Sequence, residues 1–145
     1  LVGNFGEQLL INHVLLTAFG LIMTSWGFQY YYQVSENYIF ILEFIALFLL
    51  LRFSFEFIPH STQLKSLSAL ALSVFMAEIH WSLSFLPFHY SALAIISFCL
   101  FYAIWSLYHY ALFNTVTAKR VQFYLLFALL AIVVVVSVTP WTILG

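Results

Sequence analysis

The stretch Phe40-Ile-Leu-Glu-Phe-Ile-Ala-Leu-Phe-Leu-Leu-Leu51 decides the fold class. Eleven of its twelve side chains are apolar, and they do not alternate as a strand between lipid and a polar lumen would. The run continues on both sides toward the roughly 20 apolar residues that a spanning helix needs. A single acid, Glu43, interrupts it.

Working outward, four further runs have the same character, giving spans at about 9–30, 38–58, 64–86, 90–113 and 121–144. The breaks carry turn chemistry: Gln33-Val-Ser-Glu-Asn37, Pro59-His-Ser-Thr-Gln63, Pro87-Phe-His89 and Asn114-Thr-Val-Thr-Ala-Lys-Arg120. Of 145 residues, 65% are hydrophobic and 6% are charged, with a mean hydropathy of +1.07. A soluble domain carries roughly 25% charged residues, so this surface is made for lipid. The expected fold is all-α: a polytopic transmembrane helical bundle of five spans forming a single transmembrane domain over 1–145. The alternative count is four, with the first run, interrupted by Asn12 and His13, lying along the interface. No basic segment precedes the first apolar run, so no cleavable signal peptide is read here.

The same composition removes whole classes of function. Four cations (Arg52, Lys65, Lys119 and Arg120) form no stripe able to neutralise phosphates, which excludes nucleic acid as a partner. All five acids are glutamates, so Asp-based proteolytic and metal motifs are absent. Cys99 is alone and makes no intrachain disulfide. Neither a His-Glu-x-x-His helix nor a Gly-x-Ser-x-Gly elbow occurs. Glu78 and His80 are two apart, about 200° around a helix, and cannot share a metal on one face. Connections this short hold no polar substrate. The chain is therefore expected to be no enzyme, with no catalytic residue, metal or cofactor.

With five spans, all four cations fall on one side of the membrane, which places the N-terminus in the cytoplasm. Trp26, Tyr30, Tyr31, Tyr32, Trp81, Tyr90 and Trp141 gather toward the other side as an aromatic belt. Small residues mark helix contacts in lipid because they let backbones approach. The first helix offers Gly6, His13, Thr17, Gly20, Thr24 and Gly27, the third Ser66, Ala69, Ser73, Ala77, His80 and Ser84. The fifth offers Ala128, Ala131, Val135, Thr139 and Thr142. The second helix, without glycine, is expected to face lipid or a partner.

Ionisable side chains inside a membrane cost about 2.5–3.5 kcal/mol each and need a reason. Glu43, Glu78 and His80 are expected roughly 9–13 Å below the outer boundary. Glu78 is placed to meet Glu43 or a neighbouring tyrosine. His13 and His109 share a depth on the inner side and are the histidines that a haem or chlorin would use, with His80 a weaker third. Tyr102, Ser106 and His109 form a polar line, and Arg52 and Glu56, four apart, are expected to pair.

The segment Glu78-Ile-His-Trp-Ser-Leu-Ser-Phe-Leu-Pro87, followed by a helix and then Thr117-Ala-Lys-Arg-Val-Gln-Phe-Tyr124, resembles a bacterial family of small multi-helix membrane proteins of unknown function. The resemblance implies a topology, a bacterial plasma membrane, and a joint role for Glu78, Trp81 and Pro87. The expected function is structural: a small membrane subunit that assembles with itself or with a larger complex. Competing with it are a proton, ion or small-solute conduit through Glu43, Glu78 and His80, and a pigment-binding subunit through His13 and His109.

Overall fold

Side-chain oxygens and a histidine ring start the helices where the breaks predict turns. Ser61 and Thr117 each accept a 3.3 Å hydrogen bond from a backbone N–H three residues on, at Leu64 and Arg120. His89 takes the corresponding place before the fourth helix: its carbonyl accepts from the N–H groups of Ala92 and Leu93, and its Nδ1 lies 2.8 Å from Ser91 Oγ. The reversal after the first helix takes three residues and needs Gln33 in the left-handed region, at φ 48°.

The computed structural model describes residues 2–57, 60–112 and 115–139, with side chains from residue 9 onward and without that of residue 57. It contains α1 (Val2–Tyr32), α2 (Glu36–Ser54), a 3-10 turn (Phe55–Phe57), α3 (Thr62–Ser84), α4 (Tyr90–Leu112) and α5 (Ala118–Val138). All five α-helices are long and apolar enough to cross a membrane, and no strand occurs among the described residues. The expectations about Gly6, Pro59, Asn114, Trp141, Thr142 and the end of the fifth span lie outside the described side chains and residues.

Four helices close into a ring, in which α1 adjoins α2, α2 adjoins α3, α3 adjoins α4, and α4 returns to α1. α5 lies outside the ring against α4 alone. The ring centre is filled by Val14, Ala18, Ile22 and Trp26 of α1, by Leu47 and Leu51 of α2, and by Ala69, Leu72 and Met76 of α3. Leu93, Ala94, Phe101 and Trp105 complete it from α4. A second, smaller cluster joins Ala103 of α4 to Tyr124 and Ala128 of α5.

One expected small-residue face turns away from the bundle, and the expected place of α2 is corrected. α1 buries the stripe Val14, Ala18, Ile22 and Trp26, whereas His13, Thr17, Gly20 and Thr24 face outward and Gly27 is half-buried. The centre of a four-helix ring is wide, and large side chains fill it where small ones would leave voids. α2 is a full member of the ring, burying Ile39, Glu43, Leu47, Leu51 and Ser54; α5, with Tyr124 and Ala128 buried, is the exposed helix. The α3 face is as expected at Ala69, Ser73 and His80, which are buried, while Ser66, Ala77 and Ser84 are half-buried.

One end of the bundle is basic and hydrogen-bonded. Arg52 pairs with Glu56 and donates from Nε to Ser66 Oγ at 3.2 Å, while Lys65 Nζ donates to the Glu56 carbonyl at 2.8 Å. His60 Nε2 lies 2.6 Å from the Leu112 carbonyl and ties the α2–α3 connection to the end of α4. The opposite end carries Tyr30, Tyr31, Tyr90 and His89 in edge and tilted ring contacts.

Two outcomes follow from this arrangement. Ser35 and Thr117, both exposed, belong to opposite ends of the bundle. In a Cys99→Ser background, an impermeant maleimide should label Ser35→Cys and Thr117→Cys from opposite faces of sealed vesicles; labelling from one face would break the five-span topology. At the basic end, the hydrogen bond and charge of Arg52 hold the Glu56 carboxyl below the usual glutamate range. Its small stabilisation is therefore complete above that range and disappears as pH falls through the lowered value. The melting-temperature difference between wild type and Glu56→Gln should accordingly vanish on acidification, as thermal unfolding across a pH series in detergent would show.

Candidate functional site

Toward the aromatic end, five polar or aromatic side chains from all four ring helices converge. Trp26 and Gln29 come from consecutive turns of α1, Glu43 from α2, His80 from α3 and Ser97 from α4. Counting about 1.5 Å per residue from the nearest helix end, Glu43, His80, Trp26 and Ser97 lie about 6–10 Å deep. The side chain of Glu43 is 1% exposed and that of His80 is 3% exposed, so the group is sealed from lipid.

His80 is held on every side. Its ring stacks on Trp26 across the bundle, at a centroid distance of 3.9 Å and an interplanar angle of 4°. Phe40 meets it edge-on at 5.4 Å. Trp26 in turn donates its indole N–H to Ser97 Oγ at 3.1 Å. This stack spans the diagonal between α1 and α3, whose backbones are not adjacent.

The hydrogen-bond order assigns the protons. Gln29 Nε2 donates to Glu36 Oε1 at 3.2 Å, which turns Gln29 Oε1 toward His80 Nε2 at 3.1 Å. An amide oxygen only accepts, so Nε2 carries a proton. Nδ1 stands 2.6 Å from Glu43 Oε2, at ion-pair distance but off the hydrogen-bond line, and neither Glu43 oxygen makes a hydrogen bond among the described residues. Between Nδ1 and the carboxyl there is room for one proton. Imidazolium with carboxylate and imidazole with carboxylic acid both have zero net charge, and the loss or gain of a proton leaves an unbalanced charge in a dry core.

Below this layer, toward the basic end, the ring core is hydrocarbon: Val14, Ala18, Leu47, Leu51, Phe55, Ala69, Leu72 and Phe101. The hydroxyls there are occupied locally. Ser73 donates to the carbonyls of Ala69 and Leu70, Ser68 donates to that of Leu64, and the Tyr108 hydroxyl donates to Ser68.

The expected site residues separate. Glu43 and His80 come together, but Glu78 does not join them; it is exposed between α2 and α3. Its place follows from the 200° offset from His80, which sends one of the two outward when the other enters the ring. His13 is exposed, with Nδ1 donating to the Leu9 carbonyl of its own helix at 2.7 Å, while His109 is half-buried beside Trp105 at 5.6 Å between ring centroids. Of the expected packing residues, Ser73 is buried, Ala77 and Gly27 are half-buried, and Gly20 faces outward. Tyr102 contacts Tyr124 and Phe127 of α5. Gln29 and Ser97 escape the sequence reading, and Trp26, expected in the aromatic belt, is instead buried in the ring. The four-residue step from Val14 through Ala18 and Ile22 to Trp26 is the signal that places Trp26 inside.

Removing one member of the buried pair strands the other. Glu43→Leu or His80→Leu alone should each lower stability by about 1–3 kcal/mol, and the double variant should cost less than their sum. Thermal or detergent-denaturant unfolding of all four proteins measures this, and strict additivity would show that the pair is not coupled. No family model, curated protein or solved structure matches the chain, so the site has to be understood from its own geometry.

Proposed function

We propose that this chain is a structural subunit of a membrane: a small multi-pass protein that assembles, with itself or within a larger membrane complex, through the outward face of α1. One observation carries the reading. His13, Thr17, Gly20 and Thr24 form a seam of small and weakly polar residues on the side of α1 turned away from its own ring. Gly20 has no heavy atom within 4 Å of the place a Cβ would take. In lipid, small residues at this spacing allow a second helix to approach closely. The hydroxyl of Thr24 is already bonded to the Gly20 carbonyl, so the seam presents little unsatisfied polarity to lipid before assembly.

The buried pair supports the same reading. It joins α1, α2 and α3, and through Trp26 reaches α4, while among the described residues no carboxyl or imidazole is buried in the core below it to continue a relay, and the Tyr108 hydroxyl there is bonded to Ser68. A conduit needs such a continuation. Glu43 and His80 then act as a clasp that fixes the ring. The cations at one end support a cytoplasmic N-terminus by the positive-inside rule, and the resemblance of residues 78–87 and 117–124 to a bacterial membrane family supports a bacterial plasma membrane as the setting.

Gly20→Ile tests the assembly directly. A Cβ at this exposed position meets no atom of its own bundle, so thermal stability in detergent should stay within about 1 kcal/mol of wild type. The assembled species seen on native gels of mildly solubilised membranes should shift to a smaller mass. An unchanged assembly with an unchanged melting temperature would refute a role for this face.

A further inference from the structure

The groove between α2 and α3 contains Glu78, the one acid among the described side chains that belongs neither to an end of the bundle nor to the buried pair. It is a shallow, open groove of about 390 Å³ lined by Asn37, Phe40, Ile41, Phe44, Ala77, Glu78 and Trp81. Glu78 is exposed and makes no hydrogen bond or ion pair with any described residue. Trp81, 53% exposed, stands one helical turn from Ala77 on the same groove. A carboxylate facing lipid is costly unless a counter-charge covers it.

We propose that this groove binds a monovalent organic cation with an apolar body, held by the Glu78 carboxylate against the faces of Trp81, Phe40 and Phe44. The chemistry of the walls selects this class. A lysine-type ammonium is strongly hydrated and wants three acceptors, and the groove offers a carboxylate and one amide. A quaternary or delocalised cation wants aromatic faces and a counter-charge, which is what the groove supplies. Depth separates a free cation from a lipid headgroup. Glu78 lies six residues before the end of α3, about 9 Å below the aromatic end, and the groove runs up to Asn37 near the start of α2. A phospholipid ammonium reaching that level would drag its phosphate into hydrocarbon. An amphiphilic cation without a phosphate has no such obstacle. The site shares the Phe40 ring with the Glu43–His80 clasp but neither of the clasp's ionisable groups, and it lies apart from the α1 seam.

Binding of tetraphenylphosphonium to the full chain in maltoside micelles, followed by equilibrium dialysis, tests the proposal, with tetraphenylborate as the anion of matching shape. The cation should bind saturably and the borate should not. Glu78→Gln should weaken cation binding at least tenfold, and Trp81→Ala about fivefold. Glu56→Gln, which removes an exposed acid at the basic end, away from the groove, should leave it unchanged. Melting temperatures confirm that each variant is folded; Glu78→Gln is isosteric and exposed, so it provides the deciding comparison. Equal binding of cation and borate, or equal affinity in wild type and Glu78→Gln, would overturn the site. Displacement of the cation by phosphatidylcholine added to the micelles would overturn the choice of a free cation over a lipid headgroup.

Discussion

Everything in this bundle is arranged around the requirement that Glu43 and His80 have zero net charge together. A carboxyl and an imidazole at 1% and 3% exposure have no water to solvate a stray charge, so each must have the other within reach. That fixes the rotation of α2 and α3 about their axes. Gln29 sets which ring nitrogen bears the proton, which fixes α1 in depth, and the flat Trp26 ring against the imidazole fixes α1 in azimuth. Ser97 brings in α4 by accepting the indole proton. A purely apolar core would leave the helices freer to rotate or slide, because lipid tails and leucine side chains differ little as surroundings.

The two halves of the ring thus do different work. Near the aromatic end, directional contacts specify orientation. Near the basic end, hydrocarbon side chains fill most of the space; the Tyr108–Ser68 hydrogen bond links α4 to α3 within it, and at the surface Arg52, Glu56, Lys65 and Ser66 join the end of α2 to the start of α3. The polar rim keeps these cations outside the hydrocarbon while their stems cover its edge.

How much of this the sequence discloses depends on which physical quantity is asked. Span number and class are legible because insertion depends on summed hydropathy, a property of local windows. The burial of His80 is legible because it shares a helix face with Ala69 and Ser73. The rotation of α1 is not: it has two faces with regular spacing, one small and one large, and only the width of the ring decides that Val14, Ala18, Ile22 and Trp26 turn inward. The pairing of Glu43 with His80 in place of Glu78 is likewise tertiary, since all three acids and bases have similar depths and only packing selects the partner. The position of α2 is not legible either, for a related reason. Its richness in Phe and Leu suits lipid and a ring centre equally, and composition does not distinguish them.

The attachment of α5 to α4 alone bears on how the molecule is made. Helices leave the ribosome in order, and the ring closes as soon as α4 reaches α1 and α3. With those contacts the buried acid and base have met, and the four-helix core is complete without α5. α5 then joins a finished surface through Tyr124, Ala128 and the ring contacts of Tyr102. Its arrival is a docking event within the bilayer, governed by lateral diffusion along a short tether, and not a step in forming the core.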